Sequence, residues 1–221
     1  MTKNIALLPR RAGLTRARFH DYYERHHAPL AIGHFPLTRY VRNHLADGAD
    51  LDFDTISEFW SDDLPRLAAL METEVGDLMR ADEARFMDRA RIRSGSAQEH
   101  LLSGPARGVK SANAVKFAWL LRREPGTDEA RLVRLASSWS RAFAEAHGAA
   151  CERLSLDLVN PWPGVQFPFD SVLWLWMSSR SAPRAEVALG GVRLWREVAV
   201  TAVETPPGEM AAALRRQSAS H

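Results

Sequence analysis

Val172-Leu173-Trp174-Leu175-Trp176-Met177 is apolar at every position, with no polar residue to mark a solvent-facing side. Successive side chains of a strand point to opposite faces of its sheet, so a strand of this composition must be covered on both. A sheet with helices on one side only leaves the other face wet. The chain therefore has to supply a second layer of structure.

A near-repeat suggests where that layer comes from. Leu7-Leu8-Pro9-Arg10-Arg11-Ala12-Gly13-Leu14-Thr15 resembles Leu120-Leu121-Arg122-Arg123-Glu124-Pro125-Gly126-Thr127, each reading as a strand end, a turn and a helix cap. In the first half, a strand at Ile5–Leu8 leads to a helix whose stripe is Phe19, Tyr23, His26 and Leu30. Strands at Arg39–Leu45 and Thr55–Trp60 come next, then a helical region from Leu64 to Ala90 and a strand near Arg91. That region's apolar positions are Leu67, Leu70, Met71, Val75, Leu78, Phe86 and Met87. The second half repeats the order with a strand at Val115–Leu121, a helix from Thr127 to about Ala146 and strands at Glu152–Val159 and Val172–Met177. A helix closing over Ala188–Trp195 and a strand at Val198–Val203 complete it.

Strand, helix, strand, strand, helix, strand, met twice, describes an α+β chain of two ferredoxin-like (βαββαβ) units fused into an intramolecular dimeric α+β barrel. The glycine- and serine-bearing stretch Ser94–Asn113 reads as the linker. The expected domains are 1–105, carrying the candidate site, and 113–205, a degenerate copy, with 206–221 as a C-terminal tail containing a short helix at Met210–Arg216. Because both halves sit in one chain, a monomer or a homodimer is compatible with the fold.

Composition narrows the function classes. A length of 221 residues suits two domains of roughly 100 residues each. Net charge is +2, with arginines scattered among nearly as many carboxylates, which leaves no basic footprint for nucleic acid. Cys151 is the only cysteine, so no internal disulfide or CxxC motif is available. The amino terminus has no apolar leader, and no run approaches the roughly 18–20 apolar residues of a membrane helix. A cytoplasmic protein without membrane partners is expected.

Chemistry concentrates in Phe19-His20-Asp21-Tyr22-Tyr23-Glu24-Arg25-His26-His27-Ala28-Pro29-Leu30 and in Arg39-Tyr40-Val41-Arg42-Asn43-His44. These residues, continuing through Asp54, Glu58 and Trp60 to Phe86-Met87-Asp88-Arg89, resemble the EthD domain over about the first 95 residues. The second half lacks the histidine motif, with Ser140 or its neighbours at the position of His27. The resemblance implies a fold shared by small cyclases, dehydratases, isomerases, cofactor-free oxygenases and, more distantly, haem enzymes.

His27 is the histidine that matches the family motif, placed near a helix end and a proline, and is the expected general base. His26 falls in the apolar stripe and His20 toward the rim. Histidine spacings of six, seven and one do not fit the i, i+4 pattern of a zinc helix. No metal and no cofactor are expected; a single axial histidine on haem needs no spacing, and nothing in the sequence supports it. Strand alternation puts Tyr40, Arg42 and His44 on one face and Val41, Asn43 and Leu45 on the other. If the first face points into the barrel, His44 and Arg42 join His27 around a substrate, and His44 or Asp88, a carboxylate at a position the resemblance shares, serves as the catalytic acid. Tyr23, Tyr40, Arg42, Asn43, Glu58, Trp60, Trp174 and Trp176 then contact substrate, with Trp119 a further wall candidate.

The function expected from these residues and the resemblance is a cofactor-independent lyase or isomerase, a dehydratase or cyclase, acting on an aromatic or polyketide-like small molecule. Cofactor-free oxygenation of a phenol, or noncatalytic binding of a hydrophobic ligand, are the alternatives.

Overall fold

The apolar run forms the middle of a sheet. In the computed structural model, which describes residues 2–106, 114–178 and 190–218, strand β7 (Ser171–Met177) pairs antiparallel with both β5 (Val115–Arg123) and β6 (Cys151–Pro161). β8 (Val192–Thr205) adds to the free edge of β5, giving the order β8-β5-β7-β6. Both faces of β7 are covered, with Trp176 half-buried. Leu173, Leu175 and Met177 pack with Phe117, Trp119 and Leu121 against helix α5 (Glu129–His147), while Val172 and Trp174 on the other face are also buried.

The chain divides into two units, one of residues 1–96 and 202–221, the other of residues 97–201. The boundaries fall inside β4 (Arg93–Ser103) and β8. The stretch expected as a linker from Ser94 is thus strand as far as Ser103, with half-buried Ser94 and Ser96 alternating with buried Gly95 and Ala97. The helix expected to close over Ala188 begins outside the described residues, and Val192–Trp195 is strand, paired with Leu121–Arg123 through a bulge.

In the first unit β3 (Thr55–Ser61) lies between β1 (Thr2–Leu8) and β2 (Arg39–Leu45), antiparallel to both. Helices α1 (Arg16–Tyr22) and α2 (Ala28–His34) are joined by a π-helical turn, Tyr23–His27. The region expected as one helix from Leu64 breaks into α3 (Leu64–Met71), α4 (Glu74–Phe86) and a 3-10 turn at Arg89–Arg91. The stripe that α4 buries is Gly76, Met79, Asp82 and Phe86; Leu78 is exposed. Ala6, Leu8, Phe19, Tyr23, Ala28, Tyr40 and Phe86 form this unit's core, each large side chain contributing about 1.5–3 kcal/mol on burial. The last helix, α6 (Pro207–Ser218), places Met210 in the same core.

The turn that suggested a repeat is built the same way in each unit. The Asp54 amide donates to Leu8 O and the Asp170 amide to Leu121 O, both at 2.9 Å. The Arg10 amide donates to Asp54 Oδ2 and the Arg123 amide to Asp170 Oδ2, both at 2.8 Å. Gly13 and Gly126 take the positive φ that each turn requires, +86° and +84°, and Thr15 and Asp128 then cap the next helices.

Candidate active site on the helix face of the first unit

Pro29 has no amide hydrogen, and its ring would crowd the carbonyl of Arg25 in a regular α-helix, so the preceding turn is the weak point of the ladder. The helix widens there. The Ala28 amide reaches back five residues to Tyr23 O, the hydrogen bond of a π-turn. The extra residue in this turn rotates the helix beyond it, so Tyr23 and His27 are buried and His26 is exposed. This corrects the expected stripe, in which a uniform 3.6-residue period put His26 inside.

His27, 7% exposed, donates from Nδ1 to Asp82 Oδ2 at 2.9 Å. Asp82 on α4 also accepts from the Tyr22 hydroxyl at 2.7 Å through its other oxygen. Burial alone would raise the Asp82 carboxyl; hydrogen bonds from His27 and Tyr22 outweigh it and hold it below the ordinary carboxylate range. The His27 ring rests against Tyr23 and Phe86, with centroids 5.3 and 5.2 Å away. Its Nε2 makes no hydrogen bond among the described residues. A carboxylate on Nδ1 fixes the tautomer and leaves Nε2 as the nitrogen that can take a proton.

Asp82 was not among the expected site residues. Its signal was present: it stands three residues after Met79 and four before Phe86, in the middle of a buried stripe where a carboxylate needs a partner. Asp88 is not brought to His27. It precedes the 3-10 turn, 35% exposed at its side chain, with Arg91 3.8 Å away.

The face of β2 that carries Tyr40, Arg42 and His44 packs beneath these helices, instead of pointing away from them as the barrel reading required. Glu24, from the π-turn, accepts from Arg42 Nε at 3.0 Å and Nη2 at 2.6 Å, and from His44 Nε2 at 2.7 Å. Burial pushes the Glu24 carboxyl up, but the hydrogen bonds from His44 and Arg42 and the guanidinium charge hold it down at about 2. His44 Nδ1 meets Thr55 Oγ1 at 2.8 Å, so both of its ring nitrogens are engaged. The His20 ring lies tilted against His44, centroids 4.2 Å apart, and donates to Asp54 O at 3.1 Å; burial and the neighbouring His44 lower its pKa to about 4. His20 is therefore half-buried, not a rim residue. The Tyr23 and Tyr40 hydroxyls share a hydrogen bond of 2.7 Å, and burial lifts Tyr40 to about 12 and Tyr23 well above its ordinary value. Both phenols stay protonated near neutrality.

The remaining expected contacts lie on the opposite sheet face. Asn43 donates to Glu58 Oε1 at 2.6 Å, Lys3 pairs with Glu58 Oε2 at 2.6 Å, and Trp60 carries Lys3 on its ring at 4.8 Å and Arg39 at 4.6 Å. In the second unit Trp176 carries Lys116 at 4.6 Å and Arg153 at 4.4 Å, and Trp174 donates to Asp157 Oδ2 at 2.6 Å. Trp119 instead lies on the α5 side of its sheet, in the apolar core. The register of the matching turns makes Lys3, Arg39 and Trp60 the counterparts of Lys116, Arg153 and Trp176. On the helix-facing side the correspondence is between unlike residues: Tyr40, Arg42 and His44 stand where the second unit has Leu154, Leu156 and Leu158. Ser171, at the position of Thr55, has lost its imidazole partner, and its buried hydroxyl makes no hydrogen bond among the described residues. Among the described residues, a polar cluster of this kind beneath a helix is found in the first unit and not in the second.

Residues 11–90 match the EthD domain. The EthD segment runs from the turn before α1 through the 3-10 turn, so it contains His27, Asp82, Glu24, Arg42 and His44 and none of the second unit. The whole chain has a mixed α+β fold similar to an anthrone oxidase-like protein, with a TM-score of 0.62 at 12% identity over 95% of this chain and 94% of that one. A monooxygenase-like protein from Lactobacillus acidophilus NCFM matches with a TM-score of 0.53 at 10% identity, over 93% and 96% of the two chains. A second, from Fusobacterium nucleatum, gives 0.54 at 8% identity over 91% of each. At these identities the likeness is one of fold. No curated protein matches the chain in sequence.

Among the described residues no three His, Cys, Asp or Glu side chains converge in a metal-ligating arrangement, and no helix is long and apolar enough to cross a membrane.

Proposed function

We propose that this protein is an enzyme of small aromatic or polyketide-like molecules in which His27 removes a proton from a carbon or hydroxyl made acidic by a neighbouring carbonyl or ring. The observation that carries this reading is the His27–Asp82 pair: a nearly buried imidazole whose Nδ1 is held by a buried carboxylate, itself held by Tyr22. Asp82 sets the tautomer and stabilises the imidazolium formed when Nε2 takes the proton.

Arg42, His44, Tyr23 and Tyr40 are hydrogen-bonded within the unit, and in this reading they hold the π-turn on the sheet. Asn43 and Glu58 brace its other face. These are positioning roles, in place of the substrate contacts first expected of them.

Two outcomes of the anion formed by proton loss fit the same pair. Expulsion of water or ring closure makes the protein a dehydratase or cyclase; reaction of the carbanion with dioxygen makes it a cofactor-free monooxygenase. The names borne by the fold's neighbours, anthrone oxidase-like and monooxygenase-like, favour testing the second first. The repeated turns support reading the fold as a duplicated ferredoxin-like unit in which one copy kept the site.

The test is turnover of anthrone-type and polyketide-type phenols, with product mass and oxygen uptake as the readouts. Oxygen consumed in step with product selects the oxygenase branch; loss of water or isomerisation without oxygen uptake selects the lyase or cyclase branch. A folded His27→Gln protein with wild-type turnover would sink the proposal, and tight ligand binding without any turnover would leave a binding protein in its place.

A further inference from the structure

Arg122 and Arg193 are directly opposite each other on the antiparallel strands β5 and β8. Two like charges at one cross-strand pair repel, and such a pair persists at low cost only where an anion or solvent separates the two heads. Here the pair lines a cleft of 370 Å³ whose other walls are Arg123, Glu124, Pro125 and Asp170.

The cleft is more than a solvated face, because Arg122 is fixed. Its Nε donates to Pro168 O at 2.6 Å and its guanidinium lies over the Trp195 ring at 4.6 Å, and its Nη atoms make no hydrogen bond among the described residues. Arg193 is exposed and forms no ion pair among the described residues. Arg123 meets its carboxylates, Asp170 and Glu129, only at 3.8 and 3.9 Å. Three guanidinium groups thus outnumber the two carboxylates of the lining, and the charge is only loosely neutralised.

The matching turn of the first unit provides an internal control. There the position of Arg122 is Pro9, and the carboxylate corresponding to Asp170, Asp54, is 5% exposed at its side chain and held by both Arg10 and Arg16. The turn therefore folds without an arginine at that place, and its own ion pairing can be completed internally. In the second unit it is left open.

We propose that this cleft is an oxyanion site in the second unit, in which Arg122 and Arg193, with Arg123 in the lining, bind the carboxylate or phosphate group of a small molecule. Planar guanidinium groups present paired N–H donors that match either group. The site is independent of the His27 chemistry.

Titration calorimetry of the full chain at low salt, with inorganic phosphate and separately with benzoate, tests it. Saturable binding of at least one probe is expected with a Kd on the order of 1 mM, weakening as salt is raised. Arg193→Ala, an exposed change that leaves the fold intact, should raise that Kd about tenfold, as should Arg122→Gln, while Arg10→Ala in the first unit should leave it unchanged. The preferred probe distinguishes a phosphate from a carboxylate ligand. Absence of saturable binding by both, or binding that Arg193→Ala does not weaken, overturns the proposal.

Discussion

His27 Nδ1 and Asp82 Oδ2 lie 2.9 Å apart although 55 residues separate them in the chain, and this contact joins the π-turn to α4. It brings a buried imidazole and the carboxylate that accepts its Nδ1 hydrogen together in the first unit.

Asp82→Asn should remove the acceptor that fixes the His27 tautomer. We expect kcat/KM to fall by about 10²–10⁴-fold, and the double variant with His27→Gln to be no worse than either single one, since the two act as a unit. Tyr22→Phe removes only one hydrogen bond to Asp82 and should cost about 1 kcal/mol of stability with a much smaller loss of turnover. Steady-state kinetics with urea unfolding of each variant checks both, and additive losses in the double variant would argue against a shared role.

Glu24→Gln should destabilise the first unit. It leaves the Arg42 guanidinium, with a side chain 4% exposed, without its carboxylate partner, a change that costs about 3 kcal/mol even though Glu24 itself keeps 26% exposure. Arg42 retains its hydrogen bond to Thr205. A variant with the wild-type urea midpoint would mean that the pair contributes nothing net.

Stability should fall on the acid side in two overlapping limbs. His20 has its pKa lowered from 6.5 to about 4, so below pH 6.5 the unfolded chain binds the proton more readily, and stability drops until about pH 4. Glu24 is lowered from 4.5 to about 2; its contribution is complete above pH 4.5 and is lost as pH falls to about 2. Urea midpoints measured from pH 7 to pH 3 should lose the upper limb in His20→Asn and part of the lower one in Glu24→Gln, the rest of which comes from Asp82, also held below its ordinary range.

Thr55→Val and Ser171→Ala should differ in sign, although the two residues occupy corresponding positions. The first leaves His44 Nδ1 buried without its hydroxyl partner and should cost about 1–3 kcal/mol. The second removes a hydroxyl that has no partner among the described residues and should be neutral or stabilising. Thermal melts of both proteins make the comparison, and equal losses would contradict it.

Much of the fold was legible in the residues. An unbroken apolar strand called for cover on both faces, and the paired turns at Gly13 and Gly126 carried their backbone requirement in the glycines themselves. His27 was singled out by its motif, but the residues that surround it were not legible. The period of a regular helix put His26 inward, and only the widened turn before Pro29 reverses the two. In α4 the same kind of slip chose Leu78 over Met79 and so passed over Asp82. The partners of Arg42 and His44 depend on which sheet face the helices cover, and alternation names two faces without saying which is which. Residues Ser94–Ser103 looked like a linker because small polar side chains suit a half-buried strand and a loop equally well.

Residues 202–218 belong to the first unit, where Thr205 reaches Arg42 and Met210 enters the core. During synthesis the first unit thus emerges early but stays incomplete until the whole of the second has left the ribosome. A chain stopped near Thr201 would keep every residue of the EthD segment and still lose the strand end and helix that finish its packing. The damage from such a nascent or truncated chain should therefore fall on the amino-terminal half, more than a hundred residues from the break.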